Sequence, residues 1–184
     1  MKNQAGSAGP TLALEWGIKQ SLVRYIAGMA DGSIVASKPA TAVEGGFRFP
    51  SAASPSVTEP SRNDGTLRFA GSVTLTGHGG MLKLVFTDPW LVPGSEPNAQ
   101  WLLTIADPYE PGARIAFATI DRIDPWPGGA DGGDDTDEAS HDVTGAPHST
   151  AHGTRLTADG ADLFFSGPYT EGTELDDPRI LGHA

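Results

Sequence analysis

Between Leu67 and Phe86 the chain alternates apolar with polar or small residues on both sides of a glycine-rich turn. This stretch constrains the fold more than any other. Leu67, Phe69, Val73 and Leu75 alternate first, with an irregularity at Gly71 that reads as a bulge. Leu82, Leu84 and Phe86 alternate next. Between the runs lies Thr76-Gly77-His78-Gly79-Gly80, a hairpin turn. Further strands are expected over residues 100–106, 113–123, 154–157 and 161–166. The 24 Gly and 15 Pro favour many short strands over long helices. One amphipathic helix is expected over residues 12–28, with an extended start at Leu12 and Leu14 and a stop at Gly28. The expected class is mainly β, two antiparallel sheets in a sandwich or curved, barrel-like arrangement, with one or two short helices.

Residues 1–11 read as a polar, flexible tail and residues 12–181 as a single domain. Residues 51–65 read as a loop. Residues 124–153 read as an acidic loop inserted between strands. They hold Asp131, Asp134, Asp135, Asp137, Glu138 and Asp142, along with His141, His148 and His152, and no Lys or Arg. The formal net charge of −11 argues against nucleic acid and against an anionic membrane surface as partners. The chain has no cysteine, which excludes disulfides, thiolate metal sites and covalent c-type haem. No apolar run is long enough to span a bilayer. The first ten residues lack an apolar signal core, so a cytoplasmic location is the expectation; an exported mature form with an added Met would read the same.

Sequence motifs of the common hydrolases and nucleotide-binding folds are missing. The candidate functional residues are therefore few. Leu14, Ile18, Leu22 and Ile26 form one apolar arc at about 100° per residue, with Tyr25 inside it and Ser21 at its edge. A tyrosine there either packs as a core residue whose hydroxyl needs a partner or serves as a ligand. His78, flanked by glycines, is either an exposed turn residue or a group facing a ligand that approaches the backbone closely. Tyr169, after Phe164-Phe165-Ser166-Gly167-Pro168, is either a pocket wall or a residue packed on the sheet edge. The histidines of the acidic loop lack a shaped ligand geometry and read as solvated.

Three segments in order carry a family resemblance. The first is Leu14, Trp16, Gly17, Ile18, Lys19, Ser21, Tyr25 and Ile26; the second is Phe69, Gly71, Ser72, Val73, Leu75, Thr76, Gly77, His78, Gly80 and Leu82. The third runs from Leu156-Thr157-Ala158-Asp159-Gly160-Ala161 to Tyr169, Gly172, Thr173, Leu175 and Asp176. Together they resemble the HtaA-type haem-binding domain of bacterial haem-uptake proteins, over about residues 12–181. The resemblance implies two antiparallel sheets with little helix. It also implies ferric haem b with Tyr25 as axial iron ligand, His78 hydrogen-bonded to the ligating phenolate and Ser21 supporting the haem.

That chemistry is coherent. Phenolate is a hard anionic ligand that favours Fe(III). Free tyrosine titrates near pH 10, so the metal's charge must displace the proton at neutral pH. A histidine donating to the phenolate oxygen stabilises the anion and weakens its bond to iron, which assists release. The resemblance implies a haem carrier exchanging haem with donor or acceptor proteins. The alternatives are an intracellular haem enzyme acting on peroxide or a nitrogen substrate, since tyrosine ligation also serves catalase, and a haem-free interaction domain in which Tyr25 and His78 are structural.

Overall fold

The hairpin read from residues 67–86 is present, but it turns a corner. In the computed structural model, which describes residues 11–52, 65–96, 99–124, 148–165 and 167–183, the chain runs through fourteen strands and two helices. In order they are β1 (Thr11–Trp16), α1 (Gln20–Ala27), β2 (Ser33–Ser37), β3 (Thr41–Val43), β4 (Gly46–Pro50), β5 (Leu67–Arg68), β6 (Ser72–Gly77), β7 (Leu82–Thr87) and β8 (Trp90–Val92). There follow β9 (Trp101–Ala106), β10 (Arg114–Ile120), β11 (Arg122–Asp124), β12 (His148–His152), β13 (Arg155–Leu156), α2 (Ala158–Asp162) and β14 (Arg179–His183). The chain is mainly β with two short helices, as expected. Among the described residues the strands form three antiparallel sheets where two were expected, with no closed barrel: β11-β12-β14-β1-β4-β3, β13-β10-β9-β8-β5, and β2-β6-β7.

Gly71 is that corner, not a bulge within one sheet. β5 pairs with β8 in the five-stranded sheet, whereas β6 pairs with β7 in the three-stranded one. Gly71 has φ +117°, and a Cβ there would lie 2.4 Å from the Ala40 amide nitrogen, so glycine is needed for both conformation and space. Asp88 makes the matching bend on the partner strand at φ 48°. Its carboxylate accepts from the Gly71 N–H at 2.8 Å, and its own N–H donates to the Gly71 carbonyl at 2.8 Å. Both strands of the hairpin thus pass from one sheet to the next together.

The expected helix over residues 12–28 is a strand, a corner and a shorter helix. β1 lies centrally in the six-stranded sheet, paired with β14 and β4. Leu14 and Trp16 are buried at alternate positions along it. Ile18 adopts φ 63° and ends the extended run. Helix α1 has no side-chain cap at Lys19. Asp176, far along the chain, accepts from the Gln20 N–H at 2.9 Å and satisfies one of the orphan donors of the helix start.

Other expectations also shift. Residues 161–165 are not a strand: α2 ends at Asp162 and a turn follows. Thr157 caps that helix by accepting from the Gly160 N–H at 2.9 Å, the usual role of threonine at this position. The 113–123 run divides at Asp121 between β10 and β11, which lie in different sheets. His148 and His152, placed by sequence in the acidic loop, belong to β12, which pairs with β11 and β14. Strands β2, β3 and β4 were not expected at all. The acidic stretch 125–147, most of the 51–65 loop and the tail 1–10 lie outside the described residues.

The core is one contiguous cluster fed by all three sheets and α1. Its centre is aromatic. Trp16, Phe86 and Phe117 meet edge to face with centroids 5.4–6.1 Å apart, the geometry that aromatic pairs favour. Phe164 extends the cluster at 6.4 Å from Phe117, and Tyr169 closes it at 4.9 Å from Phe164. No helix among the described residues is long and apolar enough to cross a membrane.

Candidate functional site

The apolar arc drawn over residues 14–26 assumed one helical phase for the whole segment. Leu14 lies on a strand and Ile18 on a corner, so only Leu22 and Ile26 form the buried stripe of α1. That stripe packs toward β2 and β6. Tyr25 falls about 60° from Leu22 around the helix, at the flank of the stripe. It is 54% exposed rather than a core residue.

The tyrosine hydroxyl nonetheless has a partner. Tyr25 Oη lies 2.9 Å from His78 Nε2. The ring centroids are 5.9 Å apart at 41°, so the rings meet through their polar atoms rather than by stacking. Two positions separated by 53 residues in sequence are joined by this contact. With a neutral phenol, either atom can donate, depending on the histidine tautomer. Once the phenol loses its proton, only the histidine can donate, and a hydrogen bond to an anion is the stronger kind.

His78 opens the turn between β6 and β7, a single 3-10 turn over His78–Gly80. Its φ is 53°, followed by 65° at Gly79 and 90° at Gly80. Three successive left-handed residues require the two glycines, and histidine is among the few other residues that tolerate the conformation. A Cβ at Gly79 or Gly80 would meet nothing within 4 Å, so these glycines serve the turn's shape rather than a tight contact.

Ser21 lies one helical turn before Tyr25, on the same flank of α1 and about 40° from it. It is exposed, and its hydroxyl has no hydrogen-bond partner among the described residues. Tyr169 is placed differently. It packs on Phe164, and the Lys19 ammonium stands 5.9 Å from its ring. Among the described residues no hydrogen bond or ring contact joins it to Tyr25 or His78. No cluster of three or more metal-ligating side chains occurs among the described residues.

Tyr25 and His78 are both exposed. A cleft of about 740 Å³ between Asp107, Arg114 and Asp162 does not include them. Nor does one of about 250 Å³ beside Trp16, Gly45 and Asp176. An exposed phenol oxygen held by an imidazole can offer one hard donor atom to a metal centre whose remaining ligands come from elsewhere. A residue the sequence reading missed is Asp31, in the turn after α1, whose carboxylate accepts from the Gly79 N–H. That backbone hydrogen bond is the main reason the Asp31 carboxyl titrates below its ordinary value of 3.8. Only its position shortly after the Tyr25 helix could have pointed to it.

Comparison with known proteins gives the chain a family context. The HtaA family matches residues 11–180. No curated protein sequence matches. Among solved structures, the chain is similar to the N-terminal domain of HtaA from Corynebacterium glutamicum, at 24% identity and TM-score 0.60, covering 95% of this chain and 97% of that one. It is similar to the C-terminal domain of the same protein at 19% identity and TM-score 0.59, covering 94% and 95%. The heme binding protein HtaB from the same organism aligns at 20% identity and TM-score 0.58, covering 94% and 92%.

Proposed function

The chain belongs to the HtaA family, and on that footing we propose that it binds ferric haem b through Tyr25 and acts as a haem carrier. The observation that carries this reading is the 2.9 Å contact between Tyr25 Oη and His78 Nε2 on an exposed face. The name of HtaB, a heme binding protein with the same fold, supports it.

The residues fit such a cargo. Haem iron already has four ring nitrogens and needs one axial ligand, and a single exposed oxygen supplies it without a metal cage. Tyr25 would hold the iron and Ser21, one turn earlier on the same flank, would support the macrocycle edge. His78 would donate to the phenolate, holding the negative charge on the protein when the proton is gone. That donation lowers the ligand's electron density, so binding stays reversible, as a carrier requires. An open face serves the same end, because a second protein can reach the cargo. Tyr169 would contribute as a more distant wall, through Lys19 at the start of α1.

Haem added to the purified protein should give a Soret band with high-spin, tyrosine-ligated ferric features. Tyr25→Ala should abolish it; an unchanged spectrum in that variant overturns the assignment. His78→Ala should retain haem with an altered spectrum and a changed rate of transfer to an apo-acceptor. No change in either would reduce His78 to a turn residue. Sustained peroxide turnover that disappears with Tyr25 would replace the carrier by a haem enzyme.

A further inference from the structure

The Tyr25–His78 contact joins helix α1 to the tip of the β6–β7 hairpin. α1 carries the tyrosine, and the histidine sits at the tip of a hairpin whose turn has open space around its glycines. A left-handed, non-glycine residue is strained and persists only where the surroundings hold it.

The turn's own hydrogen bond, from the Met81 N–H to the His78 carbonyl at 3.2 Å, is supplemented by the five residues after α1. The Gly28 N–H donates to the carbonyls of Arg24 and Tyr25, at 3.1 and 3.2 Å, closing the helix end. The Met29 N–H donates to the Ile26 carbonyl at 3.1 Å, and the Gly32 N–H to the Met29 carbonyl at 3.2 Å. A Cβ at Gly32 would sit 1.8 Å from the Ile26 carbonyl oxygen, so the turn folds tightly back on the helix. From this turn two side chains reach the hairpin tip. Met29 lies against Gly77, where a Cβ would come within 2.5 Å of the Met29 methyl. Asp31 accepts from the Gly79 N–H. The two contacts fall on either side of His78.

We propose that Asp31 is a positioning residue for the Tyr25–His78 pair: by binding the Gly79 N–H it holds His78 left-handed, with Nε2 turned to the Tyr25 hydroxyl. Helix α1 and its following turn thereby carry the tyrosine and also set the histidine's place. Met29 packs against Gly77 on one side of His78, and the Asp31 tie to Gly79 restrains the other side. Asp31 itself touches no ligand and acts through His78. The inference rests on the haem reading for its functional consequence, but the structural claim stands without haem.

The test uses Asp31→Ala, which removes the acceptor, and Asp31→Asn, which keeps an oxygen acceptor without the charge. In the haem-free protein, amide NMR should show the Gly79 signal moving upfield and the Tyr25–His78 ring contacts disappearing in Asp31→Ala, with both retained in Asp31→Asn. After haem is added, Asp31→Ala should reproduce the spectrum and transfer rate of His78→Ala, and Asp31→Asn should stay within about twofold of the parent. If Asp31 acts only through the histidine, the Asp31→Ala, His78→Ala double variant should match His78→Ala to within about twofold, because coupled sites are not additive. Parent-like NMR contacts in Asp31→Ala, or additive effects in the double variant, would overturn the proposal. Haem binding that survives Tyr25→Ala unchanged would sink the haem reading alone, and the haem-free NMR comparison would still decide the role of Asp31.

Discussion

Two sets of aromatic residues divide this molecule. Trp16, Phe86, Phe117 and Phe164 are buried in the centre, ring against ring, with Tyr169 closing the row. Tyr25 and His78 stand outside, joined only through an oxygen and a nitrogen. The first set is redundant, since Phe117 touches three other rings. The second depends on one hydrogen bond and on a strained turn. The contrast separates what holds the fold from the candidate site. Apolar burial holds the sheets together wherever area is removed from water, so the Tyr25–His78 pair is free to remain exposed.

Substitutions can break this contrast. Phe117→Ala should have the largest effect on stability, about 3–5 kcal/mol, as expected for a fully buried phenylalanine. Denaturant unfolding would measure it, and the folded fraction should still take up haem. A loss below about 1 kcal/mol would mean the row can collapse around the gap. Tyr25→Phe is the converse. It should leave stability within about 0.5 kcal/mol, as for other exposed sites, yet remove the haem spectrum because the donor oxygen is gone.

Tyr169→Phe sharpens the boundary between the two sets. The Tyr169 hydroxyl has no hydrogen-bond partner among the described residues, so a stability change within about 0.5 kcal/mol is expected. A shifted haem spectrum in this variant would assign Tyr169 to the binding face as well as to the core. The smallest effect concerns Asp121, outside both sets. Gln100, and then Arg155, hold its carboxyl below the ordinary value of 3.8 by hydrogen bonds of 2.7 and 3.0 Å. A depressed native pKa stabilises the fold fully above the unfolded value and ceases to do so as pH falls through the native one. Asp121→Asn should therefore weaken the loss of stability below about pH 3.8, measured as melting temperature against pH.

Local pattern was enough for some of this and not for the rest. The period of two between Leu67 and Phe86 specified a hairpin because one face had to be buried. It could not specify that the hairpin bends between sheets at Gly71 and Asp88, since that bend brings Gly71 against Ala40, a residue far from it in sequence. Phe47 and Phe49 alternate in β4 and were readable as a strand, whereas β2 presents Ser33, Val35 and Ser37 outward and offers only a weak pattern. The run after Leu156 read as a strand because Leu163, Phe164 and Phe165 are apolar. The Thr157 cap and the approach of Gly160 to the Phe117 carbonyl make its start a helix.

The candidate site shows the same division. Sequence alone placed Ser21 and Tyr25 one turn apart on a helix and His78 in a glycine turn, because helical spacing and glycine's freedom are local properties. Tertiary structure decided that Tyr25 faces outward, that its oxygen meets His78 Nε2, and that the Asp31 carboxylate accepts from the Gly79 N–H. The reason is physical. A hydrogen bond across 53 residues depends on where two sheets and a helix come to rest, and that depends on the whole core rather than on any segment.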